Sequence, residues 1–213
     1  MFLKVCGITE KTNVEKLKDS VDLLGFIFHA PSPRNAFETD PGFIKSLSTH
    51  FATVGVFVDQ PVEIIDEICS RRGIRTVQLH GNENPESAAQ LRKKGYKVIK
   101  AFRINEDSDI ELNRMVEPFR GCADLLLFDT GGKHAGGNGV KFNWSILKSY
   151  KGDTPYVLSG GIGPEDARII REMDSSEFPR LQGLDLNSRF EVLPGEKDTE
   201  VILKFIEELS NYE

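Results

Sequence analysis

Short runs rich in Val, Ile, Leu and Phe recur along the chain, and each is followed by a longer stretch whose apolar positions repeat with helical spacing. That alternation predicts βα units rather than a sandwich or a helical bundle. Eight runs fit: Phe2 to Cys6, Leu23 to Phe28, Ala52 to Val58, Thr76 to Leu79, Lys97 to Phe102, Leu125 to Asp129, Tyr156 to Ser159 and Gly183 to Leu186. Between them, Asp40-Pro41, Gln60-Pro61, Asn84-Pro85 and Gly163-Pro164 place Pro at or near a first helical position, where its missing N–H costs nothing. A last helix is expected from an Asp198 N-cap to about Leu209.

The 213 residues allow about 27 per unit, close to the roughly 200-residue lower limit of a (β/α)8 TIM barrel. A doubly wound open sheet is the alternative, and strand count favours the α/β barrel. No linker, low-complexity segment or block of like charges marks a boundary, so 1–213 reads as one barrel domain. Beginning almost at its first strand and ending in its eighth helix, the chain reads as a barrel alone rather than a fusion.

Composition narrows the function. With 27 basic and 33 acidic residues the net charge is −6, which excludes a strongly basic nucleic-acid binder. The longest apolar runs, Leu23 to Phe28 and Ala123 to Phe128, fall far short of the ~20 residues of a membrane-spanning helix. The start, Met1-Phe2-Leu3-Lys4-Val5-Cys6-Gly7, has neither a secretory nor a transit-peptide pattern, so a cytoplasmic protein is expected. Cys6, Cys69 and Cys122 are odd in number, widely spaced and without a His cluster. Reduced thiols, no disulfide framework and no metal site are expected.

In a barrel the helix N-termini bring partial positive charge to the face at which the strands end, so that mouth attracts anions. The residues after each strand are therefore the ones to read for chemistry. Gly160-Gly161 after strand seven allow backbone N–H groups to close on an oxyanion. With Asn187-Ser188 after strand eight they match the phosphate site that recurs in barrels; a plain tight turn is the alternative. Cys6 ends the first strand, where helix N-termini are expected to lower a thiol pKa and make it a base or nucleophile. Otherwise it is a buried small hydrophobe, the reading given to Cys69 and Cys122. Asp129 ends the sixth strand, where an apolar setting lets a carboxyl carry a proton, unless it caps a loop. Around a closed barrel Asp129 and Cys6 flank the two phosphate loops, an acid and a base on either side of an anchored phosphosugar. Arg34, after strand two, has a planar fork suited to a carboxylate; the alternative is a surface arginine. His80 shares a strand face with Gln78 and reads as an orienting or structural group.

These residues sit in motifs similar to those of the phosphoribosylanthranilate isomerases of tryptophan biosynthesis. The match runs through Lys4-Val5-Cys6-Gly7-Ile8-Thr9, Ser32-Pro33-Arg34, Val77-Gln78-Leu79-His80-Gly81, Leu127-Phe128-Asp129-Thr130, Gly136-Gly137-Asn138-Gly139, Leu158-Ser159-Gly160-Gly161 and Asp185-Leu186-Asn187-Ser188. The resemblance implies a (β/α)8 barrel that rearranges N-(5′-phosphoribosyl)anthranilate to the carboxyphenylamino-deoxyribulose phosphate without a cofactor. It implies Asp129 as general acid, Cys6 as general base, Arg34 on the anthranilate carboxylate, and Gly160, Gly161, Asn187 and Ser188 on the phosphate. The partner is thus a phosphorylated small molecule, and a monomer or a homodimer is equally compatible with the sequence. Two positions depart from the pattern: Arg189-Phe190 replaces a usual Gly-Val pair, and Asn143 a common aspartate before Trp144. The related sugar isomerase of histidine biosynthesis uses two aspartates, and Cys6 at the end of strand one argues against it. A barrel that binds phosphate ligands without reacting is the other reading.

Overall fold

The computed structural model describes residues 1–47, 50–104, 111–131, 141–173 and 175–210. Eight parallel strands close into a barrel in sequence order: β1 (Phe2–Cys6), β2 (Leu23–Phe28), β3 (Ala52–Phe57), β4 (Thr76–Leu79), β5 (Lys97–Ile104), β6 (Leu125–Thr130), β7 (Tyr156–Leu158) and β8 (Leu181–Leu186). The ring closes where β8 pairs with β1, with Asp185 opposite Lys4 and Leu186 opposite Val5. Among the described residues seven α-helices lie outside it: α1 (Lys11–Leu17), α2 (Pro41–Leu47), α3 (Val62–Arg72), α4 (Pro85–Lys93), α5 (Glu111–Val116), α6 (Ala167–Arg171) and α7 (Thr199–Ser210).

The prolines act largely as expected. Pro41 and Pro85 open α2 and α4, and Pro61 is the N-cap of α3. Asp198 caps α7, its Oδ1 accepting from Val201 N at 3.1 Å. Between β6 and β7 the described residues form a 3-10 segment, Trp144–Ser149, instead of an α-helix. Asn143 caps it, its Oδ1 accepting from Ser145 N at 3.1 Å. A neutral amide oxygen at this position does the capping work of a carboxylate. Two features went unforeseen: β8 starts two residues early, and the loop after it carries a small antiparallel hairpin, β9 (Glu191–Leu193) with β10 (Glu196–Lys197). The Gly136-Gly137-Asn138-Gly139 motif lies outside the described residues.

Two apolar sets follow from the period-two alternation of each strand. Leu3, Val5, Leu24, Phe26, Phe28, Leu126 and Phe128 belong to the large core between barrel and helices. Val54, Val56, Ile99, Ala101, Leu127 and Val157 fill the barrel itself, and Cys6 sits in that set. The barrel is therefore packed below Cys6, and chemistry is confined to the mouth.

Candidate active site

At the mouth a cavity of about 290 Å³ is lined by Cys6, Arg34, His80, Asp129, Gly160, Gly161, Asn187 and Ser188, together with His29, Ser159, Asp185 and Arg189. Every site residue expected from the sequence lines this one cavity. Closure in sequence order sets the geometry: Cys6 on β1 and Asp129 on β6 face each other, and the loops after β7 and β8 lie between them.

Cys6 is buried, and its surroundings are charged. Lys4, two residues earlier on the same inward face, is fully buried and bonds Asp185 Oδ1 at 2.8 Å. Gly25 on the neighbouring strand makes the space: a Cβ there would lie 2.8 Å from Cys6 Sγ and 3.2 Å from Lys4 Nζ. The thiol does not follow the sequence expectation of a lowered pKa. Burial pushes it up, since a thiolate loses its water, while Lys4 and Lys197 pull it down and Asp185 adds to the rise. Helix N-termini outside the ring do not offset that lost hydration.

Arg34 reaches the cavity with part of its fork occupied. Its Nε and Nη2 grip the Glu191 carboxylate at 2.7 to 2.9 Å, leaving the Nη1 side for a ligand. Lys197 Nζ, buried on the hairpin, bonds Glu191 Oε1 at 2.6 Å and Asn187 Oδ1 at 2.8 Å. Burial pushes the Glu191 carboxyl up, but Arg34 and Lys197 outweigh it and hold the group below its ordinary range.

Asp129 is fixed on both oxygens. Its Oδ1 accepts from Thr130 N at 2.8 Å, and its Oδ2 lies 3.1 Å from His80 Nε2. Gln78 Nε2 lies 2.8 Å from His80 Nδ1, so the ring is held between Gln78 and Asp129. Gly160 and Gly161 have φ of +82° and +69°, the left-handed region that favours glycine. A Cβ on Gly160 would stand 2.7 Å from Asp129 Oδ1 and collide with Thr130, so glycine here lets the loop after β7 lie against the Asp129 carboxyl. Arg189 Nη2, after β8, pairs with Glu165 Oε1, after β7, at 2.7 Å.

A cysteine and a carboxyl flanking a two-loop anion cradle suit proton transfer on an anchored phosphosugar. The family model for N-(5′-phosphoribosyl)anthranilate isomerase matches residues 3–208. The chain belongs to this family. An N-(5′-phosphoribosyl)anthranilate isomerase of Parabacteroides distasonis is 42% identical over 98% of this chain and 93% of its own length. Among solved structures, the phosphoribosylanthranilate isomerase of Thermus thermophilus superposes with a TM-score of 0.81 at 27% identity, covering 99% of this chain and 98% of that one. Another phosphoribosylanthranilate isomerase, crystallised with reduced 1-(o-carboxyphenylamino)-1-deoxyribulose 5-phosphate, gives 0.74 at 28% identity, covering 98% of both chains.

Sequence reasoning missed four charged residues of this isomerase's site: Lys4, Asp185, Glu191 and Lys197. For the first two a signal existed, since period-two alternation puts Lys4 on the face of Cys6 and Asp185 on that of Asn187. Lys197 stood in the motif Pro194-Gly195-Glu196-Lys197-Asp198 without a role, and Glu191 carried no signal, because the hairpin that presents them has no clear strand pattern.

Proposed function

We propose that this isomerase uses Asp129 as acid and Cys6 as base in an Amadori rearrangement, with residues 1–213 as one cytoplasmic catalytic domain. The observation that carries the reading is the placement of Cys6 and Asp129 across one cavity, with the Gly160-Gly161 and Asn187-Ser188 loops between them.

The substrate is N-(5′-phosphoribosyl)anthranilate. Its phosphate rests on Gly160, Gly161, Asn187 and Ser188, and its carboxylate on the Nη1 side of Arg34. This places the ribose between acid and base. Protonated Asp129 gives its proton to the ring oxygen; the C1′–O bond breaks as the anthranilate nitrogen lone pair forms the Schiff base. The Cys6 thiolate then removes the C2′ proton, and the C–H electrons make the enolamine, which tautomerises to the ketone. His80 and Thr130 hold the Asp129 carboxyl in one rotation, and Glu191 holds Arg34.

The test is the isomerase assay on phosphoribosylanthranilate with Cys6→Ser and Asp129→Asn. Each is expected to lower kcat by roughly 10²- to 10⁴-fold with an unchanged circular dichroism spectrum. Near-normal turnover in a folded variant would overturn that residue's role.

A further inference from the structure

The assignment of Cys6 as base leaves a difficulty that the surrounding charges reduce. A thiol has an ordinary pKa of about 8.5, and only the thiolate is an effective base. Burial pushes Cys6 away from that form, and with Lys4 and Lys197 pulling against it the thiol still lies above its ordinary range.

The groups that face the sulfur come from every side. Lys4 stands below it on the same strand, Asp185 on β8 and Lys197 on the hairpin face it, and Arg34 with Glu191 closes the cluster from the loop after β2. The neighbouring β2 contributes Gly25 and no charge, and β7 contributes Ser159, whose hydroxyl lies 3.4 Å from Asp185 Oδ2. Asp129 stands across the cavity with its own partner, His80. Asp185 serves one cation, whereas Glu191 serves two. Three cations thus meet two carboxylates, and although burial holds Lys197 below its ordinary range, a buried excess charge is costly until something neutralises it. A thiolate at Cys6 does so. Lys4 itself stays an ammonium: burial alone would strip its proton, but Asp185 and the sulfur hold it above its ordinary range.

We propose that Lys4 is the positioning residue of the base, a buried ammonium beneath the Cys6 sulfur that favours the thiolate which takes the C2′ proton. The inference rests on Cys6 being the base. Lys4 exchanges no proton in the step. The sulfur gains the proton, and the C–H electron pair moves into the Schiff base.

The experiment is a pH titration of thiolate ultraviolet absorbance, read as the difference between each protein and its Cys6→Ser counterpart so that Cys69 and Cys122 cancel. Lys4→Met should move the Cys6 titration to higher pH. Its kcat at pH 7 should fall about tenfold for each unit moved and recover as the pH is raised along the same curve. Lys4→Arg should keep both properties near those of the parent, and Asp185→Asn, which removes the competing carboxylate, should move the titration to lower pH. A Lys4→Met titration identical to the parent's, or a loss of activity that no pH restores, overturns the proposal. Should Lys4→Met fail to fold, Asp185→Asn decides, and an unmoved or raised titration overturns it. The titration uses no substrate, so a parent protein that shows the thiolate yet does not turn over phosphoribosylanthranilate counts against the function and not against this pairing.

Discussion

Glu191 is the side chain on which the arrangement of cations depends. It reaches Arg34 from 157 positions away in sequence and holds Lys197 with the same carboxylate. Replacing it by Gln leaves both cations without a counter-charge, so KM should rise on the order of tenfold as Arg34 loses its orientation, at a stability cost of about 2 kcal/mol. The acid side follows from the same pair. Because the folded Glu191 carboxyl titrates below its ordinary 4.5, its contribution is complete above that value and is lost as the pH falls through the folded pKa. Melting temperature against pH should show that acid loss in the parent and not in Glu191→Gln; equal acid losses in both would remove Glu191 from the account. Cys6 and Asp129 were legible in the sequence because each is a reactive group ending an apolar strand. Lys4 and Asp185 were legible only by the faces they share with Cys6 and Asn187 and not as a pair, because the contact that makes each buried charge tolerable joins residues 181 positions apart.

Among the elements, β2 shows how a strand can serve chemistry without supplying a reactive group. Gly25 faces Cys6 and Lys4 across the β1–β2 pair. Gly25→Ala should drive the sulfur from its place: kcat should fall far more than KM rises, with overpacking costing about 1–3 kcal/mol. Steady-state kinetics and thermal melts check this, and unchanged kcat in the folded variant would mean that the sulfur's position is not critical. The strands themselves were legible because each alternates its apolar positions between barrel and helices. The helical layer was legible wherever Pro or Asp marks a helix start. The 3-10 segment at Trp144–Ser149 was not, since Ile146 and Leu147 pack against the core with spacing that an α-helix would also satisfy. Nor was the β9–β10 hairpin, five ordered strand residues whose stability comes from Glu191 and Lys197 rather than from an apolar face.

For the molecule as a whole, a net charge of −6 surrounds a mouth supplied with Arg34, Lys197 and Arg189, and the substrate carries a phosphate and a carboxylate. Attraction to the mouth is long-ranged and therefore screened, whereas the proposed proton transfers involve the buried Cys6 and Asp129 side chains, which salt screens much less. Raising ionic strength should thus increase KM and leave kcat nearly constant; a parallel fall in kcat would place exposed charges in the chemical step. The closed ring has one more consequence. Lys4 is among the first residues of the chain, and its counter-ion Asp185 arrives on the last barrel strand. A chain emerging from its N-terminus carries the sulfur and the ammonium from the outset but lacks the carboxylate that secures them until β8 docks. The seam between the first and last strands is then also where the ammonium of Lys4 gains its counter-ion, so an unfinished chain holds that charge unpaired until the ring closes.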